Sequence, residues 1–273
     1  SNPAHFNLIK LMHSLLYILA IVFYSTVAVH FWQRKEANTW TRILLPTALL
    51  LHGFLLYESL FSAGGLNLGL TNAVSAIFWL TALIYVVTNL RHQLQNLQAF
   101  ILPIAALCVL LQWVFPEQHI LTYSSDPLFK VHLAIAFSAY SLLTFAALHA
   151  LLMAAAERTL HRKPSMLNIP SFPPLMAMEK LLFQIITIGF VLLTLTLLSG
   201  IAFDEQLYQR VFVFNHKTVF TIISWFIFGA LLYGHHKHGW RGKVAIRWTL
   251  SGFVVLLLAY VGSKFVLEFI LHR

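Results

Sequence analysis

The chain has 273 residues, 59% of them hydrophobic and 10% charged, with a mean hydropathy of +0.77; this composition excludes an ordinary soluble domain and describes a polytopic membrane protein. A formal net charge of +9 would suggest nucleic acid in a soluble chain, but here the basic residues cluster between apolar spans, as membrane topology requires, and nucleic-acid binding is set aside. The single cysteine, Cys108, lies in an apolar run and excludes intramolecular disulfides and cysteine metal clusters.

Eight apolar stretches follow one another at 8–32, 43–62, 70–90, 98–115, 130–155, 181–203, 218–234 and 246–270. In lipid each must satisfy its own backbone hydrogen bonds, which predicts an all-α bundle of about eight transmembrane helices, a single transmembrane domain over 1–273. No small-residue cleavage site follows the first run, which reads as a retained span. The loop SAGGLNLGLT (63–72) is rich in Gly and small residues; it reads either as backbone that re-enters the membrane face under a protein cover or as a plain flexible turn. Between spans five and six, 157–180 carries Pro164, Pro170, Pro173 and Pro174 and reads as an irregular cytoplasmic connector. The sixth span, FQIITIGFVLLTLTLLSGIAF from 183, is long and apolar enough to cross a bilayer. It leads into a short polar loop, DEQLYQRVFVFNHKT, which the remaining spans are expected to present at one membrane face.

The loops after spans one, three, five and seven hold 12 Lys and Arg, and the opposite side holds 6 with six of the nine acids. The bias places both termini outside the cytoplasm. Trp32, Trp40, Trp113, Tyr123, Trp240 and Trp248, near span ends, suit interfacial anchoring.

Histidine is the informative residue, with 14 copies. His52 lies roughly 14 Å into span two, near the bilayer centre, where an imidazole is expensive unless it faces the bundle interior. It is either a functional group or a histidine bonded to a Ser or Tyr of a neighbouring helix. Glu58, nearer the outer end of that helix, pairs with a cation such as Lys130 or gates a polar ligand. His132 opens span five, and His149 lies about 25 Å further along it, too far to share a site. His132, His216 and His272 gather at the outer level. Two imidazoles across a flat aromatic cleft suit a haem iron, with Phe212 and Phe214 lining its edge, whereas zinc wants a tight cluster of three or four ligands; solvated interfacial histidines remain the alternative. The run 235–243, HHKHGWRGK, has the composition of a metal tract and equally that of a basic turn that fixes topology and meets anionic lipid head groups.

The segments GGLNLGLTNAVSAIFWLTALIYVVTN (64–89), VHLAIAFSAYSLL (131–143), IGFVLLTLTLLSG (188–200), TIISWFIFGALLYGHHKHGWRGK (221–243) and LSGFVVLLLAYVGSKF (250–265) resemble the cytochrome c assembly superfamily, the CcsA-like and CcmC-like haem-handling membrane proteins. The smaller branch of inner-membrane YpjD-like and HemX-like proteins is the nearer fit, with PPLMAMEK (173–180). The resemblance implies haem as cofactor, cytochrome-assembly proteins and lipid as partners, and His132 as the first outer-face haem ligand, with His272 close to the place of the second. The family's tryptophan-rich outer loop appears here as Phe212, Val213, Phe214 and Asn215, with phenylalanines for tryptophans and Asn215 for the acid, and Tyr233 replaces the histidine of the following span, so ligase chemistry is not expected. The expectation is an inner-membrane protein that binds or passes haem near its outer face through His132 opposed by His52, His216 or His272. An accessory or regulatory subunit of an ion-transport or haem-biosynthesis system is the alternative, and transport through a polar cavity built on His52 and Glu58 is a third.

Overall fold

The computed structural model describes residues 3–33, 38–61, 65–92, 97–116, 120, 126–161, 174–208 and 216–262. All eight expected helices are present: α1 Pro3–Trp32, α2 Thr39–Leu60, α3 Leu70–His92, α4 Gln98–Val114, α5 Pro127–His161, α6 Leu175–Tyr208, α7 His216–His238 and α8 Lys243–Leu257, which runs on into a π-helical turn, Leu258–Gly262. Seven of them are long and apolar enough to cross a membrane. At 17 residues, α4 is about 26 Å long, short of the roughly 30 Å hydrocarbon core.

Local sequence fixes the boundaries. Before α2, the Asn38 side chain accepts the Thr41 N–H at 3.0 Å while Thr41 Oγ1 accepts the Asn38 N–H at 3.1 Å, a reciprocal cap. At the start of α5, Asp126 Oδ1 accepts the Leu128 N–H at 2.8 Å, and Pro127 occupies a first-turn position where no N–H is needed. α7 stops at Gly239, whose φ of +66° a side chain would resist. There the Gly239 and Trp240 N–H groups fold back onto His235 and Gly234 carbonyls, both at 3.2 Å.

The chain divides into two compact units, Ser1–Ser124 and Ser125–Arg273. The boundary therefore falls between α4 and α5; α5 and α6 pack along each other, and they extend to His161 and from Leu175, so both ends of the stretch read as an irregular connector, 157–180, are helical instead. In the first unit α1 neighbours α2 and α4, and α3 neighbours the same two; in the second, α5 neighbours α6 and α8, and α7 neighbours the same two. Each unit is a four-helix arrangement of sequential neighbours. Small residues permit the close approaches: a Cβ on Gly189 would come within 2.7 Å of Leu143, and one on Gly252 within 2.9 Å of Phe228. Large apolar side chains such as Leu50, Leu90 and Phe226 are exposed, which is unfavourable in water and costs nothing against lipid tails.

Candidate functional site

The second unit places its first expected site residue at the end where α5 and α7 begin and α6 finishes. His132 is half-buried in the second turn of α5, with Nδ1 2.8 Å from Ser199 Oγ on α6. The Ser199 hydroxyl donates its one proton to the Thr196 carbonyl at 3.2 Å, so Nδ1–H is the donor and the ring's lone pair sits at Nε2. Gly200 lies alongside: a Cβ there would be 3.4 Å from His132 Cε1, so backbone approaches the ring edge closely. Below this level the interior is aromatic. Tyr140 on α5 meets Tyr260 of the π-helical turn at 6.2 Å between ring centroids. Lys217 Nζ lies 5.8 Å from the Tyr260 centroid. Trp225 stacks on Phe190 at 5.3 Å and donates its indole N–H to Thr194 Oγ1 at 2.8 Å. His149, at the far end of α5, is fully buried and donates from Nε2 to the Met178 carbonyl at 2.9 Å, consistent with its exclusion from the His132 site.

The first unit surrounds His52 with a continuous set of polar contacts. Its Nε2 lies 2.8 Å from Ser75 Oγ, its Nδ1 3.3 Å from Tyr24 Oη, and the residue is fully buried. The direction of every bond can be assigned. Ser75 donates to Gln112 Oε1 at 3.0 Å, so it accepts from His52; Nε2 therefore carries the ring proton, and Nδ1 accepts from the Tyr24 hydroxyl. Gln112 donates to Asn72 Oδ1 at 3.2 Å, Ser59 donates to the same oxygen at 2.7 Å, and Asn72 Nδ2 donates to the Asn67 carbonyl at 3.1 Å. The described part of the Gly-rich loop, 65–69, is covered by protein. Leu66, Asn67 and Leu68 are buried, and the Asn67 N–H donates to the Leu60 carbonyl at 2.7 Å.

His52 thus bonds a Ser and a Tyr of neighbouring helices, and both of its nitrogens are engaged. Glu58 meets His13, Oε2 to Nδ1 at 3.5 Å, both side chains partly exposed, so its contact within this unit is an α1 imidazole. His52 and Glu58 face different partners. Tyr233 is exposed on α7, its ring edge-on to His238 at 5.9 Å. Phe212, Phe214, Asn215 and His272 lie outside the described residues, and His216 opens α7 with its side chain outside them. Sequence reasoning missed Tyr24, Ser75, Asn72, Gln112, Ser199 and Tyr260; Gln112, in the apolar run ILPIAALCVLLQWV, is the one that composition alone could have flagged.

The turn 239–242 is a structural corner. His235 stacks on Phe183 at 3.5 Å and donates from Nδ1 to the Trp240 carbonyl at 2.9 Å. Glu179 on α6 accepts the Gly242 N–H at 3.1 Å and faces Arg241 at 3.4 Å, while Glu157 faces Lys243 at 3.8 Å. Among the described residues, no group of three or more His, Cys, Asp or Glu could hold a metal ion.

Eight helices with lipid-compatible surfaces and polar, histidine-bearing interiors define a polytopic α-helical membrane protein. The profile of the cytochrome C assembly protein family matches residues 40–271, and the chain belongs to that family. It is 31% identical over 261 residues to the inner membrane protein YpjD of Escherichia coli (strain K12), covering 93% of this chain and 98% of the relative. It is 22% identical over 284 residues to a cytochrome c biogenesis protein CcsA of Prochlorococcus marinus, covering 92% and 89%. An uncharacterized 28.8 kDa protein of Azospirillum brasilense matches at 30% over 141 residues, 52% of each chain.

Proposed function

We propose that the protein is a multi-pass inner-membrane haem-handling protein that binds or passes haem at its outer face, with both termini on that side. The observation that carries this reading is the His132 imidazole. Ser199 holds its Nδ1 as donor, which leaves the ring's lone pair on Nε2, and a hydrogen bond on the far nitrogen is the usual means of fixing a metal-binding histidine. The donor set fits an iron porphyrin: an imidazole at a membrane-crossing helix end, with aromatic rings beneath. Haem is cargo here, and what it contributes is an iron with axial positions for imidazole. His132 binds it; His216 and His272 are the candidates for the opposing position. His52 serves as ligand only if its Nδ1 releases Tyr24 or its Nε2 releases Ser75.

The visible spectrum of protein purified from haem-replete cells, oxidised and reduced, tests the proposal. A Soret band that is lost or displaced in His132→Ala is expected; wild-type protein that stays colourless after haem addition overturns it. The engaged state of His52 and the phenylalanines at 212 and 214 favour the second reading, an accessory or regulatory membrane subunit without cofactor, whose signature is a stoichiometric membrane partner and no pigment.

A further inference from the structure

We propose that the corner formed by the end of α5, the start of α6 and the α7–α8 turn is a binding site for an anionic phospholipid head group. The cations there outnumber what the fold itself uses. Glu179 and Glu157 assemble the corner, and in doing so engage Arg241 and Lys243. Four further cations sit within one helical turn of those contacts: Arg158 beside Glu157, Lys180 beside Glu179, Lys237 in the last turn of α7 and Arg247 one turn along α8 from Lys243. All four are exposed, and among the described residues none has a carboxylate within ion-pair distance. Exposed cations carried by every helix end that meets at this corner favour an anion there.

The chemistry beside the cations selects a lipid over a soluble anion. Trp240 and Trp248 lie against each other with centroids 5.0 Å apart at 39°, next in sequence to Arg241 and Arg247. An indole pair at the end of membrane-crossing helices occupies the head-group level. The apolar helix surface adjoining it, Tyr233 and Val244, is exposed and can face acyl chains. Basic pockets between helix ends at this level take phosphate head groups, and each Lys or Arg near an anionic membrane surface contributes about fivefold to affinity. The corner itself is rigid. The stacked His235, the two Glu contacts and the Gly239 and Gly242 turn hold it without any of the four unpaired cations, so those can be changed without dismantling it.

The test uses full-length protein in nanodiscs of phosphatidylcholine with or without one-fifth phosphatidylglycerol, read by retained lipid in native mass spectrometry and by thermal midpoint. Wild type is expected to retain phosphatidylglycerol over phosphatidylcholine and to gain thermal stability from it. The triple variant Lys180→Gln, Lys237→Gln, Arg247→Gln is expected to lose about a hundredfold in that preference, while its midpoint in pure phosphatidylcholine stays that of wild type. Equal retention of the two lipids by wild type, or undiminished preference in the triple variant, overturns the proposal. So does displacement of the bound lipid by millimolar inorganic phosphate or a soluble poly-glutamate peptide, which would assign the corner to a soluble anionic partner. A variant that unfolds in phosphatidylcholine is replaced by the single Arg247→Gln, expected to lose about fivefold by the same readout.

Discussion

The directional bonding around His52 makes a quantitative prediction for Ser75 and Gln112. Ser75→Ala removes the acceptor of the His52 Nε2–H and the donor to Gln112 Oε1, bonds of 2.8 and 3.0 Å, and leaves both groups stranded in a fully buried setting. At about 0.6 kcal/mol for each interhelical bond lost in a membrane and about 1 kcal/mol or more for each orphaned group, the loss is about 3 kcal/mol. Gln112→Leu is gentler. Asn72 Oδ1 keeps its 2.7 Å bond from Ser59, and the freed Ser75 proton can turn to a carbonyl of its own helix, so about 1 kcal/mol is expected. In the double variant Gln112 Oε1 no longer exists to be stranded. The two changes should therefore fall short of additivity by about 1 kcal/mol, well outside the roughly 0.3–0.5 kcal/mol spread of independent sites. Reversible unfolding in mixed micelles, followed through tryptophan fluorescence, measures all four corners of the cycle. Additive single changes would refute the assigned bond directions, and with them the Nε2–H tautomer of His52.

Three other outcomes are expected. Gly252→Ala places a Cβ 2.9 Å from the Phe228 ring at the point where Ser224 bonds the Gly252 carbonyl, and should lower stability by about 1–3 kcal/mol, seen as a lower thermal midpoint in detergent. His149→Leu removes the tie from α5 to the Met178 carbonyl, which keeps the backbone bond of its own helix, so a loss of about 1 kcal/mol is expected in the same assay, with no change in any pigment bound at His132. Glu179→Gln keeps an acceptor for the Gly242 N–H and weakens only the pair with a largely exposed Arg241, so its thermal midpoint should match wild type within about 1 kcal/mol, whereas Glu179→Ala should fall further.

The helices were legible because each has to be apolar along its length; their ends were not, because Asn38, Pro127 and Gly239, which set them, lie outside the apolar runs from which the spans were drawn. The unit boundary was not legible. It depends on which helices lie side by side, and the cue visible in the sequence, four prolines between 164 and 174, marks a long connection between neighbours instead of a division. His52 was found as an imidazole at membrane depth and His132 as one at the start of a span, and the sequence allowed for a Ser or Tyr bonded to His52. It could not show that Ser199 orients one ring while Tyr24 and Ser75 occupy the other. Ser, Asn and Tyr are common in membrane helices, and only the packing of α1 to α4 gathers four such side chains, Tyr24, Ser59, Asn72 and Ser75, around His52 and Gln112. Glu58 was correctly seen as ionisable within an apolar run, but its contact, His13, lies on α1 some 45 residues earlier in the chain, a pairing that no periodicity encodes.

The chain of donors from Tyr24 to Asn67 contains two carboxamides, Gln112 and Asn72. A hydroxyl or an imidazole can take a proton on one side and release another on the other, but a carboxamide accepts at oxygen and donates from nitrogen, and it would have to pass through its imidic acid form to hand a proton on. The seam therefore wets the inside of the first unit without conducting. In a membrane across which a proton gradient stands, this protein can keep a buried histidine and a row of polar side chains among its helices and still act as an insulator.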